Sequence, residues 1–255
     1  MTILTASDPP PFTLIRGERE SPYVVACDHA GNRIPEYFGE FGLSPQEREA
    51  HIAWDIGAAQ VARMLAAHLS GGVVLQTYSR LLIDCNRPPR VASSIPEKSE
   101  NTFIEANRNL SRADREARRM AIFDPYHDAI RSLLDDRERR RQRTVLVSVH
   151  SFTPEFHGIA RPMHLGLLFN RDARLGRLLK NRLSRDTALV VAENEPYAVS
   201  DETDYTIPVH GEQRGIAHVM LEIRNDLIAD EAGQSAWAER LGALLLGVDG
   251  ELSRR

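Results

Sequence analysis

The run TVLVSVHSFTP, Thr144 to Pro154, decides how this chain folds. Its apolar residues form a strand too hydrophobic to lie at a surface, and the backbone breaks at Pro154, just after a histidine and a serine. Two other runs have the same form. YVVACDHAG (Tyr23 to Gly31) leads from an apolar strand into Asp28 and His29, and VMLEIRNDL (Val219 to Leu227) carries Glu222. Helix-like stretches alternate with strand-like ones from end to end, the pattern of an α/β sheet flanked by helices on both faces. Ligands of open α/β sheets bind beyond the carboxyl ends of the strands. His29, His150 and Glu222 are therefore expected to converge although they are far apart in sequence.

Working outward, further strands are expected at 73–79, 81–86, 164–169, 188–192 and 218–223. Ser44-Pro45-Gln46-Glu47 has the signature of a helix start, with Ser44 as N-cap, proline in the first turn and Glu47 completing a capping box. That helix is expected to run to about Leu69, where Gly71-Gly72 stops it. On it, Asp55 shares a stripe with Ala58, Ala62, Leu65 and Leu69, so its carboxylate should face inward, where carboxylates are rare unless paired or metal-bound. A long helical stretch over 111–143 should be divided by Pro125, and helices are expected at 173–184 and 233–246. The polar segment 88–109 has no period and reads as a binding loop or lid. Neither a repeat nor a linker interrupts the chain, so 1–255 is read as a single domain.

At 255 residues, with 42% hydrophobic and 27% charged residues, the chain can bury a sizeable core and is not disordered. A net charge of -4 offers no general attraction for nucleic acid or an anionic membrane. The sequence lacks any run of the roughly 18 apolar residues that span a bilayer, and its N-terminus lacks a secretory pattern. Cys27 and Cys85 form neither a disulfide framework nor a C-x-x-C pair; they read as small buried hydrophobes in a reducing cytoplasm. DDRERRRQR (Asp135 to Arg143) reads as a solvated helix end. The sequence does not set the oligomeric state.

A hydrolytic zinc site needs about three ligands of His, Asp or Glu type and an open position for water. His29 and His150 are the leading candidates, although a histidine at a strand end also serves as a structural hydrogen-bonding group. Asp55 is the third, with Glu36 and Asp28 as alternatives; Asp28 is otherwise placed to orient His29. Glu222 has two readings. It forms a buried ion pair with Arg224, two residues on and on the same strand face, or burial raises its proton affinity and suits it to general base and acid work. Arg80, Asn86 and Arg87, from YSRLLIDCNRPP, can hold a substrate carboxylate, with a guanidinium donating two parallel hydrogen bonds and the amide a third. Ser151 and His210 are further candidate substrate contacts. His51, His68, His127 and His157 lack such a context and are expected at the surface.

Five blocks, CDHAGNRIP (Cys27 to Pro35), HIAWDIGA (His51 to Ala58), SRLLIDCNRP (Ser79 to Pro88), SVHSFTP (Ser148 to Pro154) and HGEQRGIAHVMLEIRNDL (His210 to Leu227), span almost the whole chain. Together they resemble the N-formylglutamate amidohydrolase family, itself related to the zinc carboxypeptidases. The resemblance implies a mixed β-sheet of the zinc-dependent exopeptidase, or phosphorylase/hydrolase-like, type. It also implies a Zn2+ cofactor, a small acidic N-acyl amino acid as substrate, and a place in histidine degradation. In the carboxypeptidases the first metal histidine opens an H-x-x-E motif; His29 matches it, but Asn32 stands where the glutamate belongs, and Asp55 is the expected replacement. His150 before Ser151 resembles the later metal histidine, Asn86-Arg87 the carboxylate-binding pair, and Glu222-Ile223-Arg224 the motif of the catalytic glutamate. The expected activity is zinc-dependent hydrolysis of N-formylglutamate to glutamate and formate. The alternatives are a deacylase of another N-acyl amino acid, a short-peptide carboxypeptidase, or a binding protein that has lost its metal.

Overall fold

A computed structural model describes residues 2–253. Among these, seven strands build one mixed sheet: β1 (Phe12–Ile15), β2 (Tyr23–Cys27), β3 (Gly72–Gln76), β4 (Val145–Phe152), β5 (Leu165–Leu168), β6 (Val191–Glu193) and β7 (Ala217–Arg224). Their spatial order is β1-β3-β2-β4-β7-β5-β6. The four central strands β3, β2, β4 and β7 are mutually parallel, which brings their carboxyl ends to one edge. β1 is antiparallel to β3 and β5 is antiparallel to β7. Every residue of β2, β3 and β4 is buried, as parallel strands covered on both faces must be.

The described residues include six α-helices: α1 (Pro45–Glu49), α2 (Ala58–His68), α3 (Arg112–Arg118), α4 (Asp124–Arg139), α5 (Arg174–Leu183) and α6 (Glu231–Leu252), of which α2, α4 and α5 pack directly on the sheet. The two-residue alternation of the strands sorts their side chains between two cores. Val25, Val147 and Leu221 pack with Leu65 of α2, Leu179 of α5 and Leu241 of α6. On the other face Val24, Leu146 and Met220 meet Tyr126 and Ile130 of α4. Both cysteines are free and buried, as expected. No helix among the described residues is long and apolar enough to cross a membrane.

The fold differs from the sequence reading in three places, each with a local cause. The helix starting at Ser44 has the expected capping box but ends at Glu49, and a turn intervenes before α2. Gly57 closes that turn at φ +79, where a Cβ would stand 2.2 Å from the carbonyl oxygen of Ile228. Asp55 therefore sits in this turn rather than on a helical stripe. Residues 81–86 are not a strand, because side chains take their carbonyls: Asn107 donates to Leu81 O at 2.8 Å and buried Arg118 to Leu82 O at 3.0 Å. β1 escaped the reading because only alternate residues of this edge strand are even partly buried. The stretch 111–143 is divided at Pro125 as expected: a π-type turn, Arg119–Phe123, lies immediately ahead of this proline in the first turn of α4, and proline has no N–H to continue the regular ladder. The arginines of the 135–143 run are exposed apart from Arg137, which is buried and donates to the carbonyls of Ser21 and Arg143.

Candidate active site

Strand register assembles the site. The β2–β4 ladder pairs Ala26 with Ser148, so Asp28 arrives beside His150 just past the last rung, and the β4–β7 ladder pairs His150 with Glu222. Residues two apart on a strand, or opposite each other on neighbours, share a face, and Asp28, Ser148, His150 and Glu222 accordingly lie together. His29 follows on the turn beyond β2. The turn carrying Asp55 is laced to both neighbouring segments: Asp55 N donates to His29 O at 3.0 Å, and Arg80 N donates to Ala53 O at 3.1 Å.

The result is a buried His-Asp-His cluster. Asp55 Oδ2 lies 3.2 Å from His29 Nδ1 and 2.8 Å from His150 Nδ1. One ligand-type atom from each of the three side chains lies within 4.8 Å of the others, so together they could hold a metal ion. The outer nitrogens test that fit. His29 Nε2 is 2.7 Å from Asp84 Oδ1, and His150 Nε2 is 2.9 Å from Asp28 Oδ2. Each imidazole thus has a carboxylate to receive its Nε2 proton, leaving Nδ1 to turn a lone pair inward, the arrangement usual for metal-binding histidines. Asp28 therefore serves His150, not His29 as the sequence suggested, and Asp84 takes the place beside His29. Asp28 keeps to the strand face it shares with Ser148 and His150, whereas His29 lies one residue further into the turn. Glu36 is exposed and accepts a hydrogen bond from Ser7, and Asn32 donates to Arg48 O at 3.0 Å.

Charge is concentrated here. Burial opposes ionisation of Asp55, yet His29, His150 and Arg80 hold its carboxyl well below the usual range. Asp84 is likewise lowered against burial, by His29 and Arg80. Asp28 is lowered to about 2; burial resists this, but hydrogen bonds from His150 and Thr206 prevail. Burial also works against a charge on His150, but Asp28 and Asp55 raise it well above its ordinary value. Glu222 moves the other way. Burial pushes its carboxyl up to about 7, against the opposing influence of His150, and its Oε2 is buried with no hydrogen-bond partner among the described residues. The Glu222–Arg224 ion pair that the sequence left open does not form, because Arg224 binds Asp226 at 2.8 Å.

A cavity of about 490 Å³ opens over this cluster. His29, Asp55, His150, Glu222, Arg80, Asn86, Arg87 and Ser151 line it. Arg80 is fixed between Asp55 and Asp84, at 3.1 and 3.4 Å. Arg87 Nη1 donates to Thr203 O at 2.6 Å, and Asn86 Oδ1 accepts from the amides of Tyr205 and Thr206 while Nδ2 donates to Asp204. Ser151 Oγ donates to Ile56 O. His210 and Arg224 are not on the cavity wall. His210 is fully buried, its Nε2 3.0 Å from Nδ1 of His127, which in turn reaches Cys85 O. Placing His127 and His51 at the surface was thus wrong: His127 is buried in the α4 core, and His51 lines the cavity. The sequence reading also missed Tyr197, Phe156 and Lys98-Ser99-Glu100, the last from a small hairpin within the 88–109 loop. That loop was marked as a binding loop, but its polar composition did not single out these residues.

The family described as N-formylglutamate amidohydrolase matches residues 21–229. A solved gene product of Agrobacterium tumefaciens is 35% identical, covers 98% of this chain and 99% of its own, and superposes with a TM-score of 0.95. The chain belongs to the N-formylglutamate amidohydrolase family. The N-formylglutamate amidohydrolase of Ralstonia eutropha, 21% identical over 96% of this chain and 98% of its own, has the same fold at a TM-score of 0.66. Among curated proteins none matches. Membership makes the chain an amidohydrolase, and the matched span 21–229 contains every residue of the cavity wall described above.

Proposed function

We propose that this amidohydrolase cleaves the N-acyl amide of a small acidic amino acid, with N-formylglutamate as the favoured substrate and formate and glutamate as products. One observation carries the reading: His29 Nδ1 and His150 Nδ1 converge on Asp55 Oδ2 beside Glu222, whose Oε2 has no hydrogen-bond partner among the described residues. Two imidazoles and a carboxylate, each imidazole backed by a second carboxylate, are a donor set suited to zinc, and His29, Asp55 and His150 would hold it. When bound, zinc supplies Lewis acidity toward a carbonyl oxygen and acidifies water.

The chain's own groups do the rest. Glu222 receives a proton from the attacking water and passes it to the leaving nitrogen, a shuttle that works best when the carrier's pKa lies near the working pH; burial brings Glu222 there, to about 7. Arg80, immobilised by Asp55 and Asp84, adds positive charge where the carbonyl oxygen becomes negative. Arg87 has Nη1 tied to Thr203 O and Nε 3.9 Å from Asp84 Oδ2, which leaves Nη2 to meet a substrate carboxylate, and Asn86 has one amide hydrogen left to add. Ser151 narrows the wall beside Asp55. We assign no substrate contact to His210 or Arg224, which lie off the cavity wall.

The test is metal analysis of the purified protein together with turnover of N-formyl, N-acetyl and N-succinyl derivatives of glutamate and of neutral amino acids. Zinc-dependent release of formate from N-formylglutamate is the expected result. Turnover of only the larger acyl compounds refutes the favoured substrate, and an inert, metal-free protein after zinc addition refutes the enzyme reading.

A further inference from the structure

Beside the candidate metal ligands stands a histidine whose ring makes no hydrogen bond among the described residues. His51 shares the cavity wall with His29, Asp55 and Glu222. Its Nδ1 is buried and makes no hydrogen bond among the described residues. Asp55 Oδ1 stands 3.8 Å from it, too far for a hydrogen bond but close enough to bias the ring. Nε2 makes no hydrogen bond among the described residues either, yet it is not one of the buried, sealed-off atoms, so on this cavity-lining ring it is the nitrogen that meets the open space.

Asp55 selects the tautomer. A proton on Nδ1 directs an N–H dipole at the carboxylate, whereas a lone pair there would face negative charge. Nε2 therefore presents a lone pair to the cavity. Of the other polar cavity groups, Arg80 and Arg87 only donate, the carboxylates are already assigned, Ser151 spends its hydroxyl hydrogen on Ile56 O, and Asn86 Oδ1 already accepts from two amides. His51 is a neutral acceptor, and a secondary amide brings one donor of its own, the N–H of the bond to be cut.

We propose that His51 is a catalytic residue that accepts the N–H of the scissile amide through Nε2. The assignment rests on the amidohydrolase reading and deepens it by naming the chemical class the site selects, a secondary amide. As water adds to the carbonyl carbon, the C–O bond forms and the water proton goes to Glu222. The nitrogen becomes pyramidal, and its N–H, anchored on His51, leaves the new lone pair free to face Glu222. Glu222 returns the proton to that lone pair, the C–N bond breaks, and the amine departs. His51 neither gains nor loses a proton in the cycle.

An ester analogue isolates the contact. In 2-formyloxyglutarate an oxygen replaces the N–H, and nothing remains for Nε2 to accept. The zinc-loaded full chain, its His51→Leu variant and its His51→Gln variant are compared on N-formylglutamate and on this ester. His51→Leu is expected to lower the amide-to-ester ratio of kcat/KM by about 10- to 100-fold, the effect of losing a buried hydrogen bond. His51→Gln places an amide oxygen near the Nε2 position and is expected to restore most of the ratio. Zinc content and thermal midpoint are read on all three proteins. Proportional loss on amide and ester, or loss of zinc in both variants, overturns the assignment and makes His51 a support for Asp55. An unchanged ratio in His51→Leu overturns it as well. Failure of the wild type to turn over either compound overturns the amidohydrolase reading and this assignment with it.

Discussion

Replacing Glu222 by glutamine should stabilise the protein while stopping its chemistry, and the two effects have separate origins. Burial raises the Glu222 carboxyl from 4.5 to about 7 in the folded chain. Between those values the folded state holds a proton that the unfolded state has released, so this group makes stability fall as pH rises through the window. Once pH exceeds 7 the full cost has appeared, about 3 kcal/mol at roughly 1.4 kcal/mol per unit. Glutamine keeps the shape and carries no charge, and Oε2 has no hydrogen bond to lose among the described residues. Urea unfolding of the metal-free proteins should therefore show Glu222→Gln about 3 kcal/mol more stable than the wild type at pH 8 and nearly equal to it at pH 4. In the zinc-loaded proteins kcat should drop by about 100- to 10,000-fold, the usual worth of a positioned acid–base group. Bound zinc should be unchanged, because Glu222 is outside the ligand group. A stability difference independent of pH would show that burial does not perturb this carboxyl, and wild-type turnover by the variant would remove its proton-shuttle role.

The remaining expectations concern the groups around it. Asp84→Asn and Asp28→Asn should each weaken zinc affinity by about 10- to 100-fold in chelator competition, because each removes the carboxylate behind one imidazole; affinity equal to wild type would refute the pairing. Asp28 is lowered to about 2, so its contribution to stability, about 2 kcal/mol, is complete above pH 4 and lost as pH falls toward 2. That acid limb should be missing from the unfolding profile of Asp28→Asn. Asp55→Ala should abolish stoichiometric zinc binding whereas Glu36→Ala should not alter it, and the reverse outcome would reassign the third ligand. Arg87→Met should raise KM for N-formylglutamate by about tenfold or more while sparing N-formyl compounds with a neutral carboxyl isostere.

Much of the fold could be read from the chain because its central strands are buried on both faces. Such strands must be continuous apolar runs, and YVVAC, VLVSV and VMLEI can hardly be anything else. The edge strand FTLI and the segment LLIDCN were misread for a shared reason: their state depends on partners distant in sequence. FTLI becomes a strand because β3 has a free edge for it, and LLIDCN is held out of the sheet because Asn107 and Arg118 occupy its carbonyls. Neither partner leaves a mark within the segment itself.

Asp55 shows how a residue can be found for the wrong reason. Its inward orientation followed from an assumed helix that ends six residues earlier, at Glu49; what turns it inward is a loop whose amide reaches His29 O and whose exit requires Gly57. The carboxylate was legible as a buried acid, but its support was not. His51 illustrates the opposite error. Once the helix is broken, the usual neighbour relation four residues apart no longer holds, and position 51 carries no periodic signal that separates it from a surface histidine. Its function depends on a 3.8 Å approach to Asp55 across the turn, a distance set by tertiary contacts to the ends of β2 and of residues 79–87. The same turn therefore hid the support of Asp55 and the place of His51, and its geometry makes the metal-ligand test at Asp55 and the amide test at His51 separable. Asp55→Ala acts on zinc itself, whereas His51→Leu acts on the substrate's N–H with zinc still in place.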